Sequence, residues 1–238
     1  MAEGGAFFGP ILAIDTCGPT GSVALGRLAG RDLDLLGQKE LEGRTYSATL
    51  VSAVAELLDR NQITLRDLGG IVVVNGPGSF TGVRVGLSAV KGLAEPAQIP
   101  VVAISRLLVL SRKSGVPSCA LDAHRGEVFL RTEEPGQAPR ELLAGARELA
   151  SIDRVPLRVA VCDEAAAALL ATAWPGAQLV RTEAPTAADT LRIGEARLVA
   201  GGQVDLALLD GHYLRRSDAE IFGPVSGAKA ATAGRSRA

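Results

Sequence analysis

Histidine is nearly missing from this chain of 238 residues: His124 and His212 are the two, and they stand far apart. The helical His-x-x-x-His pair that a zinc or iron site of that type needs is absent, so no metal is expected. Cys17, Cys119 and Cys162 are odd in number and widely separated. They make neither a disulfide framework nor a zinc spacing, and read as small buried apolar residues in a reducing compartment. Aromatics are 3% of the chain against 47% hydrophobic residues, so the interior must be built from Ala, Val, Leu and Ile. A net charge of -1 gives no general drive toward nucleic acid or an anionic membrane. No apolar run approaches the roughly 20 residues that cross a bilayer; the longest, Ala165 to Trp174, reads as an alanine-rich helix. Met1 to Pro10 has no basic residue before its short apolar stretch, unlike a secretory signal. The expected location is the cytoplasm, with no membrane contact.

What is present is glycine in a particular place. Ile71-Val72-Val73-Val74 is a continuous β-branched run, which fits a strand buried on both faces. Asn75-Gly76-Pro77-Gly78-Ser79-Phe80 is too rich in Gly and Pro to extend either regular element. Thr81 can cap a helix that runs to about Glu95, with Pro96 as its stop. Gly82 and Gly86 share one face of that helix, each costing about 1 kcal/mol relative to alanine, and the usual compensating reason is the close approach of another backbone. That backbone could belong to the same chain or to a partner; spacing leaves both open. A phosphate cradle fits less well. Threonine stands where a dinucleotide fingerprint needs its third glycine, and Gly82 is followed by Val83-Arg84 rather than by the Lys-Ser/Thr of a P-loop.

Around this stretch the pattern alternates strands and helices. Ile11–Ile14, Ser22–Gly26 and Leu33–Glu40 read as a strand meander, with Asp15 at the first turn. In two-lobe phosphotransferases an acid at this junction approaches phosphate and metal; otherwise it accepts turn amides. Arg44 to Asn61 is amphipathic through Leu50, Val51, Val54, Leu57 and Leu58, with Ala48, Ser52 and Ala55 on a second face. A strand over Ile99–Ile104 and a helix over Ser105–Ser114 follow. The opening pattern then returns at Ser118–Leu130, with Asp122 in the place of Asp15. A strand at Leu157–Val161 and helices at Asp163–Ala173 and Thr190–Ala200 follow, then an extended segment at Gly211–Glu220. Its Arg215-Arg216 pair, beside Asp218 and Glu220, reads as a solvated ion-pair cluster.

Two segments, ILAIDTCGPTGSVAL and GPGSFTGVRVGLSAVKGLA, resemble the TsaB (YeaZ-type) subunits of the bacterial tRNA threonylcarbamoyladenosine machinery. CALDAHRGEVF and GHYLRRSDAE extend the resemblance over about residues 11 to 220. It implies a two-lobe α/β fold of the actin, sugar-kinase and heat-shock-ATPase type, each lobe a mixed sheet with flanking helices. The expected division is an N-terminal lobe over 1–110, a C-terminal lobe over 111–222 and a disordered tail over 223–238. It also implies a non-catalytic dimerisation subunit that docks on and activates a TsaD-type catalytic partner. A TsaE-type ATPase is the further partner, the isolated chain is a homodimer, and tRNA is met only indirectly. No cofactor is expected in the isolated chain, with ATP or ADP at most at the complex interface.

By the same resemblance, the helices at 44–61 and 81–95 form the partner surface, through Leu50, Val51, Val54, Gly82, Gly86 and Val90. No catalytic residue is expected, since Asp122-Ala123-His124 lacks the glycine of an Asp-x-Gly phosphate loop. The rival reading is an active two-lobe ATPase or phosphotransferase, or a peptidase-like enzyme, using Asp15 and Asp122. For peptidase chemistry the sequence offers no nucleophile–base pair.

Overall fold

The β-branched runs bounded by turn residues become strands buried on both faces. A computed structural model describes residues 9–29, 32–42, 45–134 and 136–215. The first half runs β1 (Ile11–Asp15), β2 (Thr20–Ala29), β3 (Asp32–Glu42), α1 (Tyr46–Arg60), β4 (Gly70–Val74), α2 (Phe80–Ala97), β5 (Val101–Ile104) and α3 (Arg106–Ser114). The second half repeats it: β6 (Cys119–Asp122), β7 (Glu127–Thr132), β8 (Arg140–Gly145), α4 (Ala146–Ala150), β9 (Arg158–Val161), α5 (Glu164–Ala173), β10 (Gln178–Arg181) and α6 (Ala187–Val199). The sheets have the orders β3-β2-β1-β4-β5 and β8-β7-β6-β9-β10. In both, an antiparallel meander precedes parallel strands. The two strand-Asp-turn-strand openings are therefore the starts of two copies of one topology.

The copies exchange their last helices. Leu107 and Leu110 of α3 pack with Cys119, Leu121, Phe129 and Ala160 of the second sheet. Ala187, Leu191 and Leu198 of α6 join the core of the first sheet, between Ile11, Leu25 and the β4 valines. The approach is close: a Cβ on Gly194 would meet Val72 at no more than 3.0 Å. A cut between residues 110 and 111 would fall inside α3. Nothing in the periodicity of α3 or α6 says which sheet the apolar face meets, because an apolar stripe does not specify its partner.

Several boundaries differ from expectation for local reasons. Ser79, not Thr81, caps α2, its side chain accepting the Gly82 N–H at 3.2 Å. The helix runs one residue past Pro96 and ends where Gln98 turns left-handed at φ 53°. Asp163 caps α5 as expected, accepting the Ala166 N–H at 2.7 Å. Strands β8 and β10 and the single-turn α4 were not anticipated. The segment at 216–220 and the tail at 223–238 lie outside the described residues. Within those residues, no helix is long and apolar enough to cross a membrane.

Candidate functional site

The end of β1, the glycine loop after β4 and the start of α3 converge on one buried cluster. Asp15 is 1% exposed. One carboxylate oxygen accepts the Cys17 N–H at 2.8 Å, forming the turn, and the other accepts from Arg106 Nε at 3.3 Å. Arg106 comes 91 residues later and is itself buried. Burial is the strongest single influence and works against its charge, but the Asp15 charge and hydrogen bond, joined by smaller contributions from Cys17 and Cys162, together hold its pKa above the ordinary value. Its guanidinium lies beneath Gly18, where a Cβ would strike it. The Tyr46 hydroxyl closes the side, donating to the Gly18 carbonyl at 2.8 Å. Burial, then the Asp15 charge, push the Tyr46 pKa up to about 12. The same two causes push the Cys17 thiol well up, so it stays protonated; it donates to the Val74 carbonyl at 3.2 Å.

The two α2 glycines complete this cluster from the other side. A Cβ at Gly82 would come closer than 3.0 Å to the Thr16 carbonyl oxygen, and one at Gly86 as close to Thr16 Oγ1. Thr16 Oγ1 in turn donates to the Gly82 carbonyl at 2.7 Å. The backbone that these glycines admit is therefore the chain's own first turn. Gly78 does the same for Cys17, whose carbonyl accepts the Ser79 N–H at 2.8 Å. As a whole, the cluster fills the place where an acid would meet phosphate with a buried guanidinium.

The residues expected on a partner surface separate into two groups. Leu50, Val54, Gly82, Gly86 and Val90 are buried inside the lobe, whereas Val51 is 57% exposed. A leucine at Gly86 would strike Thr16 before it met any partner. Among the residues that α1 shows to solvent, Ala48, Val51, Ser52 and Ala55 are small or apolar and lie beside the exposed Ser47, Glu56, Asp59 and Arg60; α2 adds the half-buried Val85 and Ala89 and the exposed Gly92. A Cβ at Gly92 would meet nothing within 4 Å.

The second turn is built differently. Asp122 accepts the His124 N–H at 2.8 Å and pairs with His124 Nδ1 at 2.8 Å, while the Asp122 N–H is taken by Asp163. His124 and Arg125 both have φ near 60°, an unusual conformation for side-chain-bearing residues, and the His124 side chain is 85% exposed. Between the lobes, Glu141 of β8 accepts from Ser105 at 2.6 Å and from Arg131 at 2.9 Å, and meets His212 Nε2 at 2.8 Å. Burial opposes its charge, but these hydrogen bonds, that from His212 foremost, hold the Glu141 pKa below the ordinary value. Serine, histidine and carboxylate thus meet, but hydroxyl and imidazole both reach the same Glu141 oxygen. A hydrolytic triad needs the hydroxyl on the imidazole. Among the described residues no group of three or more His, Cys, Asp or Glu could hold a metal ion.

Arg106 carries much of this geometry, and its place beside Asp15 has no signal in the sequence. The fivefold sheets, their shared order and the crossed helices make this a two-lobe α/β protein of the actin, sugar-kinase and heat-shock-ATPase type. Comparison with known proteins narrows the class. The family of TsaD, tRNA N6-adenosine threonylcarbamoyltransferase, matches residues 39–140. The "tRNA threonylcarbamoyladenosine biosynthesis protein TsaB" of Escherichia coli (strain K12) is 35% identical over 125 residues, 50% of this chain and 52% of that protein. Its Bacillus subtilis (strain 168) namesake is 37% identical over 123 residues, with the same coverage. The chain thus matches about half the length of these two relatives. An uncharacterized protein of Mycobacterium bovis is 30% identical over 163 residues, 61% of this chain and 76% of that one. The solved structure of YeaZ from Pseudomonas aeruginosa superposes with a TM-score of 0.66 at 25% identity, covering 87% of this chain and all of that one. The chain belongs to the TsaB (YeaZ-type) family.

Proposed function

We propose that this chain is a non-catalytic scaffold subunit in the threonylcarbamoylation of tRNA adenosine, acting by docking on a TsaD-type catalytic partner. The names of its relatives support the pathway. The observation that carries the scaffold role is the buried Asp15–Arg106 pair. An acid that must meet phosphate or metal cannot also be sealed against a guanidinium at 3.3 Å with 1% of its surface open. The rival reading, ATP chemistry at Asp15 and Asp122, would first have to break that pair.

Docking uses the outer faces of α1 and α2. Ala48, Val51, Ser52 and Ala55 give a surface of small side chains that lets another helix approach closely, and Val85, Ala89 and Gly92 extend it. Leu50, Val54 and Val90 support it from beneath, and Gly82 and Gly86 set the height of α2 over the first turn. A homodimer in isolation and a heterodimer with the catalytic subunit then compete for one face. A TsaE-type ATPase joins that assembly, which works in the cytoplasm. The lobes are proposed to divide near residue 110 in chain order, with α3 and α6 crossing.

The test is a pair of exposed substitutions, Val51→Arg and Ala55→Glu, assayed by sedimentation for self-association and by calorimetry for binding to the TsaD-type subunit. Both sites are on the surface, so folding should be unchanged. Loss of both associations, with unchanged circular dichroism, is the expected result. Native affinity in both variants would remove α1 from the surface.

A further inference from the structure

The other flank of α2 carries a different feature. Phe80, Arg84, Leu87, Ser88 and Lys91 form one wall of a groove of about 550 Å³, and Leu209, Asp210, Tyr213 and Arg215 form the other. By helical spacing this flank faces away from Val85 and Ala89. The Phe80 and Tyr213 rings lie 4.8 Å apart, tilted by 46°. The Arg84 guanidinium stacks on Phe80 with Cζ 3.8 Å from the ring centroid. Arg84 and Lys91 are seven residues apart, which puts them two turns and about 10 Å apart along the helix. Among the described residues neither has a carboxylate partner, whereas Arg215 is paired with Glu127. The chain thus holds an exposed guanidinium over an aromatic ring, with no carboxylate partner among the described residues.

We infer that this groove binds an unpaired RNA strand. Each component fits one part of a nucleotide. Tyr213, 37% exposed, and the Arg84–Phe80 stack supply flat surfaces for bases, which stack without regard to sequence. The Arg84 edge and Lys91 meet phosphates. Asp210 uses one carboxylate oxygen on the Gly211 N–H at 2.7 Å. Its other oxygen has no hydrogen bond among the described residues and can accept from a ribose 2′-hydroxyl, a donor that DNA lacks. An acidic peptide would satisfy the cations but leave the rings idle. With a net charge of -1 the chain has no long-range pull on RNA. The groove is a local grip, suited to a strand that a partner already holds nearby. It stands independently of the α1 surface.

The test is fluorescence anisotropy with the full chain and a labelled single-stranded RNA octamer, against DNA of the same sequence, a duplex RNA, and AMP as competitor. Binding at low salt is expected with a Kd on the order of 10⁻⁴ M or tighter, and single-stranded RNA ahead of both other nucleic acids. Replacing both Arg84 and Lys91 by alanine should weaken binding at least tenfold. It should also reduce the log–log salt slope by about 1.4, two phosphates at about 0.7 each. Tyr213→Ala should weaken binding by about fivefold or more with the slope unchanged. Asp210→Asn should narrow the preference for RNA over DNA. Sedimentation of each variant shows whether pairing is intact, which separates failure here from failure of the docking surface. No binding, equal binding of duplex, an unchanged slope in the double variant, or AMP displacing the strand at equal nucleotide concentration would each overturn the inference.

Discussion

In the first lobe the acid ending β1, Asp15, is 1% exposed and divides its carboxylate between the Cys17 N–H and the Arg106 guanidinium. In the second lobe the acid ending β6, Asp122, faces His124, whose side chain is 85% exposed. The two turns occupy the same step of a repeated topology. One has become a sealed joint between the first sheet, α2 and α3; the other remains a surface loop. The difference teaches where this fold keeps its rigidity. The first turn is held from three sides, by Arg106, by Tyr46 and by the glycine face of α2, and these support the base of the two helices proposed to dock. The second turn meets no buried cation among the described residues, and is tied to the α5 cap, Asp163, and to Arg215 through the His124 carbonyl.

The largest expected effect tests that contrast directly. Arg106→Ala leaves a buried carboxylate without its cation and should cost about 3–5 kcal/mol in urea unfolding. Asp122→Asn, at the equivalent place in the second lobe, should cost less than about 1 kcal/mol. Similar losses in the two variants would erase the distinction between the turns.

A smaller set of changes sharpens it along α2. Gly82→Ala drives a methyl into the Thr16 carbonyl and should cost about 1–3 kcal/mol. Gly92→Ala meets open space and should instead gain up to about 1 kcal/mol in thermal unfolding. Opposite signs for two glycines ten residues apart on one helix would separate close approach from simple helix propensity.

The side chain of Tyr46 gives a pH-dependent test. Its pKa in the fold is about 12, above the ordinary 10, so its contribution is complete below pH 10 and fades as pH rises through 12. Tyr46→Phe should cost about 1 kcal/mol at neutral pH and make the alkaline loss shallower. The interlobe contact gives the opposite limb. The Glu141 pKa lies below its ordinary 4.5, so its contribution is present above that value and is lost as pH falls through the depressed one. Glu141→Gln should therefore flatten the acid side of the stability profile and leave the alkaline side unchanged.

Much of this architecture is legible in the chain, and what is missing has a common cause. The β-branched run at 71–74, the capping Asp163 and the repeated strand-Asp-turn opening are local patterns, and local patterns name local structure. The glycine spacing at 82 and 86 announced a close approach, but its partner, Thr16, lies 66 residues from Gly82. Arg106 gave no signal at all, since a lone arginine at a helix start is ordinary until Asp15 is beside it. The exchange of α3 and α6 is equally silent, because both sheets offer apolar faces of the same kind. Strands β8 and β10 are masked by the Pro- and Gly-containing loops before them, and β10 also by its four-residue length. Of the expected partner-surface residues, Val51 alone is open: apolar spacing marks the buried face for Leu50, Val54 and Val90, and glycine spacing marks a close approach within the chain for Gly82 and Gly86.

The most direct measurement is an omission assay. Modification of tRNA is reconstituted with a TsaD-type subunit, a TsaE-type ATPase and the threonylcarbamoyl-adenylate synthase, with this chain present, absent, or replaced by Val51→Arg. Modification that requires the chain and is lost with Val51→Arg, while the chain alone hydrolyses no ATP, is the predicted result. Modification at an unchanged rate without the chain would contradict the scaffold account.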